Sequence, residues 1–104
     1  MTATDQQPPP SLVITNVRVT LRSDGQLRAF VSMELNHCFV IRGLKIIAGE
    51  KSTFVSMPNR KGQDGKFRDI AHPINEPMRE YMTRVILDEY RRAVAQAEKQ
   101  VRRA

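Results

Sequence analysis

The sequence predicts an α+β fold in which a small antiparallel β-sheet of about five strands, connected as a meander, is covered by one C-terminal α-helix. Two observations indicate this class. The first half of the chain contains runs with the two-residue period of a strand that has one buried face. The last quarter instead places apolar residues at the helical period. One helix of this kind is sufficient to cover the apolar face of such a sheet.

The first two predicted strands form a hairpin. Apolar and polar residues alternate from Leu12 to Arg22, and the alternation resumes over residues 27–35. Between the two runs, Asp24-Gly25 suits a turn that needs positive φ. The buried face of the second strand is predicted to hold Leu27, Ala29, Val31, Met33 and Leu35.

Three further short strands are predicted after a turn at Asn36-His37. Cys38–Ile41 is an apolar run of strand-forming residues, and Leu44–Ala48 is another. Gly43 separates these two runs and is interpreted as a break between strands. Thr53–Met57 is the fifth strand. The tight connections favour an antiparallel sheet with one face to cover.

The segment from residue 58 to residue 69, PNRKGQDGKFRD, contains few apolar groups and four basic ones. It is predicted to be a long exposed loop or a hairpin tip, a kind of segment that often carries function. A helix follows, with Asn75 or Glu76 as its cap and Pro77 in its first turn. Its apolar stripe is predicted to cover the sheet and consists of Met78, Met82, Val85, Ile86, Ala93 and Ala97, with Tyr90 at the edge.

The chain has 104 residues, the size of one small domain. We expect residues 1–11 to be a disordered, proline-rich tail, residues 12–95 to form the domain, and residues 96–104 to form a basic helix end or tail. No apolar run reaches the roughly 18 residues that span a bilayer, and no secretory signal is visible. A single cysteine, Cys38, excludes an intrachain disulfide. These features predict a cytoplasmic protein that does not contact membranes.

The sequence offers little for catalysis or metal binding. His37, Cys38 and His72 are its only nitrogen and sulfur ligands, fewer than a structural zinc site needs. Cys38 lies in an apolar run, where a cysteine is usually an inert small hydrophobe. His72 follows Asp69 by three residues, a spacing that either orients an imidazole or fastens the loop before the helix. We therefore predict no enzyme activity, no cofactor, no metal and no small-molecule substrate.

Positive charge is concentrated in two segments. The chain carries 17 Lys and Arg against 11 Asp and Glu, a net charge of +6. Residues 42–68 hold seven basic residues against two acidic ones, and residues 79–104 hold seven against four. Such clusters favour a polyanionic partner, above all nucleic acid, although a solvated basic surface that only aids solubility has the same composition. The candidate phosphate contacts are Arg60, Lys61, Lys66, Arg68, Arg84 and Arg91.

A platform of aromatic side chains for stacking bases is less favoured. Such a platform needs exposed aromatic rings among basic groups. Only Phe67 lies within a basic run, because Phe30, Phe39 and Phe54 occupy strands that are also expected to build the core. The sequence thus favours phosphate contacts from a basic loop and a helix edge over base stacking.

Three segments carry a resemblance to a known family: SDGQLRAFVSMELNHCFVIRGLKII, then FVSMPNRKGQDGKFRDIAHPIN, and the helix with EYRR. Over roughly residues 12–92 the sequence resembles the SpoVG (stage V sporulation protein G) family, most specifically from Phe54 to Asn75. The resemblance implies a bacterial cytoplasmic homodimer that binds DNA and RNA and is linked to septation and sporulation. Arg42-Gly43 stands where family members often carry a His-Asp pair. The residues at which the resemblance implies nucleic-acid contact are Arg79, Arg84, Arg91 and Arg92, with Arg60 and Lys61 as the basic pair after Ser-Met-Pro.

The resulting hypothesis is a nucleic-acid-binding regulator, DNA or RNA, that acts as a homodimer without catalysis. A short meander exposes two strand edges, and pairing of these edges across a two-fold axis would build the dimer. A dimer would carry a charge of about +12 and two copies of the basic loop. The alternative hypothesis is a protein–protein adaptor in cell division, whose basic surface binds an acidic partner.

Overall fold

A four-stranded antiparallel sheet and a long helix dominate the fold. The computed structural model describes residues 11–103 of the chain. The predicted tail over residues 1–11 therefore lies almost entirely outside the described residues. The main sheet has the strand order β1-β2-β3-β4, and its strands are β1 (Ile14–Asp24), β2 (Leu27–Leu35), β3 (Phe39–Ala48) and β4 (Thr53–Ser56).

The predicted hairpin of the first two strands is confirmed. Asp24 pairs with Leu27, and Gly25 in the turn between them has a φ of +62°. Glycine adopts this left-handed conformation without the steric cost that a Cβ atom brings. The second turn is also confirmed, because Asn36 and His37 both have positive φ and the Cys38 amide donates to the Leu35 carbonyl at 3.0 Å.

The predicted strand break at Gly43 is wrong. β3 continues through Gly43, whose φ is +90°, and the register with β2 shifts by one residue between Val31 and Met33. Gly43 is thus part of a β-bulge, which inserts an extra residue into a strand without ending it. Two of the five predicted strands are consequently one strand, while the antiparallel α+β class is confirmed.

For residues 58–69 the sequence predicted either a long exposed loop or a hairpin tip, and the structure shows a hairpin. β5 (Asn59–Lys61) pairs with β6 (Phe67–Asp69) in a separate two-stranded sheet. At the base of this hairpin the Ile70 amide donates to the Pro58 carbonyl at 2.7 Å. We call β5, β6 and the turn between them the basic hairpin.

The helix α1 extends over Glu76–Arg103. The Asn75 side chain accepts a hydrogen bond from the Met78 amide at 2.9 Å, as an N-cap residue does. Pro77 occupies the first turn, as predicted. No helix in the described part of the chain is both long and apolar enough to cross a membrane.

The core lies between the helix and one face of the main sheet. Met82 and Ile86 are the buried helix residues, while Met78 and Tyr90 are partly buried around them. The Tyr81 hydroxyl accepts a hydrogen bond from the Ile14 amide at 2.9 Å and so joins the helix to β1. The core residues that the strands and the segment after β4 contribute are Ala29, Val31, Met33, Leu35, Leu44, Ile46 and Met57.

Candidate nucleic-acid interface

The basic hairpin is closed by backbone hydrogen bonds within its turn. The Gly62 amide donates to the Lys66 carbonyl at 2.8 Å, and the Gly65 amide donates to the Gly62 carbonyl at 3.0 Å. Gly65 has a φ of +80°, which only glycine adopts without strain. This turn explains why a segment with so few apolar residues still forms a defined structure.

Arg68 fixes the tip of the basic hairpin. Its guanidinium donates to both carboxylate oxygens of Asp64, at 3.2 Å and 2.6 Å. Asp64 also accepts the Lys66 amide at 3.1 Å. The hydrogen bond from Arg68 is the main reason that the pKa of Asp64 lies below its usual value, and the same contact raises the pKa of Arg68. Arg68 is therefore engaged within the tip.

The other three cations of the basic hairpin are open to a partner. Arg60 lies opposite Arg68 and Lys61 lies opposite Phe67 in the register of the two strands. Arg60, Lys61 and Lys66 are all exposed, and none forms an ion pair with a residue that the structure describes. The basic hairpin therefore displays three unneutralised positive charges, with Arg60 and Lys61 on opposite faces because they are neighbours on one strand.

The helix carries four candidate arginines, and two of them are hydrogen-bonded to a carboxylate one turn earlier. Arg91 donates to Asp88 at 2.8 Å, and Arg92 donates to Glu89 at 3.1 Å. Exposed pairs at this spacing stabilise a helix by only about 0.2–0.5 kcal/mol. A phosphate can displace such a partner, but the helix presents less net charge here than its arginine content implies.

The remaining two candidate arginines lie nearer the start of the helix. Arg79 approaches Glu76 at 3.9 Å, the longest of the ion pairs among the described residues. Arg84 lies over the Tyr81 ring with its guanidinium carbon 5.7 Å from the ring centre. Arg84 therefore has a cation–π contact and presents its charge to solvent.

The structure places the predicted residues on two elements that meet near the base of the hairpin. Pro58, just before β5, and Met78, in the first turns of α1, line one apolar cavity. Beyond that point the helix packs chiefly on β1 and β4, and β5 packs chiefly on β6. Arg91 and Arg92 lie further along the helix, beyond the point where it meets the base of the basic hairpin.

Three phenylalanines lie in strands that were expected to build the core, but their own side chains are exposed. The exposed fractions are 38% for Phe30, 61% for Phe39 and 46% for Phe54. Phe30 shares its face of β2 with Arg28 and Ser32, since the neighbouring residues of opposite parity are buried. That parity was visible in the sequence. It indicates that Phe30 lies on the solvent-facing side of β2, and the sequence-based prediction did not use this signal.

Cys38 also differs from its prediction. It is exposed in the turn before β3 and does not lie in a buried run. The ring of His72 lies 3.0 Å from the carbonyl oxygen of the next residue, Pro73. Among the described residues, no group of three or more His, Cys, Asp and Glu side chains is arranged to hold a metal ion.

Comparison with known proteins connects this architecture to one family. A sequence model of the SpoVG family matches residues 12–92 of the chain. A relative from Myxococcus xanthus is 49% identical over 85 residues, which is 82% of this chain and 86% of the relative. A relative from Anaeromyxobacter sp. strain K is 51% identical over 79 residues, or 76% of this chain and 78% of the relative.

The match extends to relatives of lower identity. A relative from Caldicellulosiruptor saccharolyticus is 37% identical over 86 residues, which cover 82% of this chain and 98% of the relative. All three proteins carry the name "Putative septation protein SpoVG". The matched region includes the whole main sheet, the basic hairpin and the helix as far as residue 92.

Proposed function

This chain belongs to the SpoVG family, and we propose that it is a nucleic-acid-binding regulator that acts in the cytoplasm as a homodimer without catalysis. The observation that carries the proposal is the basic hairpin. It holds Arg60, Lys61 and Lys66 exposed and without carboxylate partners among the described residues, on a chain of net charge +6. Such a surface binds phosphates, which supply most of the affinity for nucleic acids.

The helix arginines enlarge this surface. Arg84 has no ion-pair partner among the described residues, while Arg79, Arg91 and Arg92 contribute once a phosphate replaces their intrahelical partners. Arg68 acts differently, because it orients the turn through Asp64. We assign it the role of a positioning residue for the hairpin cations.

Dimerisation would follow from the sheet edges. The strand order leaves β1 and β4 at the two edges of the main sheet. Pairing of one edge with that of a second copy would satisfy its free backbone groups and join two basic hairpins in one particle. Sedimentation at micromolar concentration should then give twice the mass of the chain, and a monomer would exclude this part of the proposal.

The test of the nucleic-acid site is the double variant Arg60→Glu and Lys61→Glu. We expect weaker binding to all sequences alike and a thermal transition close to that of the wild type, since both side chains are exposed. Titration into labelled DNA and RNA at about 50 and 200 mM salt should show a log–log salt slope that is lower by about 1.8, roughly 0.9 for each lost phosphate contact.

The matched control makes the same change in net charge at two residues outside the basic hairpin. Lys51 and Lys99 are exposed cations outside the hairpin, so the double variant Lys51→Glu and Lys99→Glu has the same net charge. If both double variants lose equal affinity, only the overall field of the protein attracts nucleic acid. If the wild type does not bind at the lower salt, the proposal fails.

A second candidate function is favoured by the word "septation" in the names of the relatives. In that case the same basic surface would bind an acidic protein during cell division. Competition separates the two functions, because a site that reads bases discriminates between oligonucleotides by about 1–3 kcal/mol for each key position. Equal displacement of every oligonucleotide by an acidic protein would favour the adaptor.

A further inference from the structure

The side of the main sheet that faces away from the helix is covered by no element of the described chain. We call it the open face and define it by six residues that the pairing register and the surface grooves place on one side. Phe30 pairs with Thr20 and Lys45, and Lys45 in turn pairs with Ser56. The open face consists of Arg18, Arg22, Phe30, Arg42, Lys45 and Phe54.

The open face is strongly positive because its cations are not neutralised. Arg18, Arg22, Arg42 and Lys45 form no ion pair with any residue that the structure describes, in contrast to Arg91 and Arg92 on the helix. Arg18 and Arg42 line the same shallow grooves.

The carboxylate of Glu34 lies beside Arg18 and Arg42 on this side of the sheet and is already engaged. Glu34 accepts a hydrogen bond from the Thr15 hydroxyl at 2.7 Å and lies 3.5 Å from the His37 ring. Phosphate groups match the remaining charge of the open face, whereas an apolar partner would bury unpaired cations.

Aromatic rings lie among these cations. Phe30 is 38% exposed, and the guanidinium carbon of Arg22 lies 5.4 Å from the centre of its ring. Phe54 is 46% exposed and lies on the same side, since its partner Ile47 is two residues beyond Lys45. Strand spacing places Phe30 and Phe54 about 12 Å apart, too far to sandwich one base and suitable for stacking two different bases.

We propose that the open face binds single-stranded nucleic acid, with bases stacked on Phe30 and Phe54 and phosphates held by Arg18, Arg42 and Lys45. This inference rests on the proposed function and adds a second surface and a preferred form of the ligand. Flat four-stranded sheets that display aromatic rings between cations bind single strands in this way, because only unpaired bases offer their faces for stacking. A duplex keeps its bases stacked on each other and would contact only the cations.

The experiment compares Phe30→Ala, Phe54→Ala and their combination, with wild-type protein as reference. The probes are twelve-nucleotide oligo(dT) and oligo(U) and a DNA duplex, measured by fluorescence anisotropy at several salt concentrations. We expect each substitution to weaken single-strand binding about fivefold or more, with little change for the duplex. The salt slope should stay unchanged, because no phosphate contact is removed.

Phe39→Ala is the matched control. Phe39 is more exposed than either ring but pairs with the buried Leu35, so it lies on the other side of the sheet. Its replacement should leave all affinities unchanged. If the alanine variants lose stability, Phe30→Leu and Phe54→Leu keep most of the apolar volume, lack the aromatic face and should give the same loss.

The outcomes separate this inference from the function on which it rests. Wild-type protein that binds none of the three probes overturns both. Wild-type protein that binds, combined with a double phenylalanine variant of unchanged single-strand affinity, overturns the open-face proposal alone. An equal loss for duplex and single strand also overturns it, because stacking on unpaired bases would then not explain the effect.

Discussion

The hydroxyl of Tyr81 should contribute measurably to stability, because it joins two elements that are distant in the sequence. It accepts the Ile14 amide at 2.9 Å and so links the start of β1 to the second turn of the helix. Tyr81→Phe removes this acceptor and retains the ring. The cation–π contact with Arg84, at 5.7 Å, depends on the ring and should persist.

The expected loss follows from the surroundings of the bond. Ile14 and Tyr81 are both half-buried, so water only partly replaces the missing hydroxyl. A hydrogen bond of this kind contributes about 1 kcal/mol to the free energy of unfolding. For a domain of this size the midpoint of thermal unfolding then falls by about 5 °C.

Circular dichroism melts and amide exchange measure the two expected effects. The Ile14 amide should exchange faster in Tyr81→Phe than in the wild type, in addition to the lower midpoint. Tyr90→Phe is the matched control, since Tyr90 is also partly buried and its hydroxyl has no hydrogen-bond partner among the described residues. An unchanged midpoint in Tyr81→Phe, or an equal loss in Tyr90→Phe, would refute the reasoning.

Two further predictions concern the helix cap and the hairpin tip. Asn75→Ala should lower the free energy of unfolding by about 1 kcal/mol, measured by urea denaturation, whereas Asn75→Asp keeps the acceptor and should remain near wild type. The Arg68 contact lowers the pKa of Asp64, so the tip is stabilised above the usual Asp pKa and loses that contribution as pH falls through the lowered value. The NMR shift of the Lys66 amide should report this titration. Arg68→Gln should raise the pKa of Asp64 toward its usual value, because the largest of its causes is removed, and an unmoved titration would contradict the assigned cause.

The sequence predicted those elements whose signal is local. Alternation gave the β1–β2 hairpin, and a helical stripe with a capping asparagine gave α1 and its covered side. Gly43 was misread because a glycine inside an apolar run fits both a strand end and a bulge. Only the partner strand decides between them, through the register shift opposite Val31 and Met33.

In the candidate site, too, some features could be predicted from the sequence and others could not. The cluster of basic residues around the hairpin was visible from composition, but Asp64 and Arg68 are brought together by the geometry of a turn. Phe30 carried a readable signal, because it has the parity of Arg28 and Ser32. Phe54 carried none, since β4 is only four residues long and its exposed side is set by pairing with β3.

Local pairing decides which cations of this protein are available to a polyanion. A phosphate that binds Arg91 must compete with Asp88, whose carboxylate lies 2.8 Å from the guanidinium. Lys45 and Lys61 have no ion-pair partner among the described residues, so a phosphate that binds either of them displaces only water and counterions. Removal of a free cation therefore takes away the whole of its attraction, and removal of a paired arginine also releases a carboxylate that repels the ligand. Charge content alone does not rank these residues. The ranking follows from the three-residue spacing on the helix, which pairs Arg79, Arg91 and Arg92, and from the main sheet, whose cations have no ion-pair partner among the described residues.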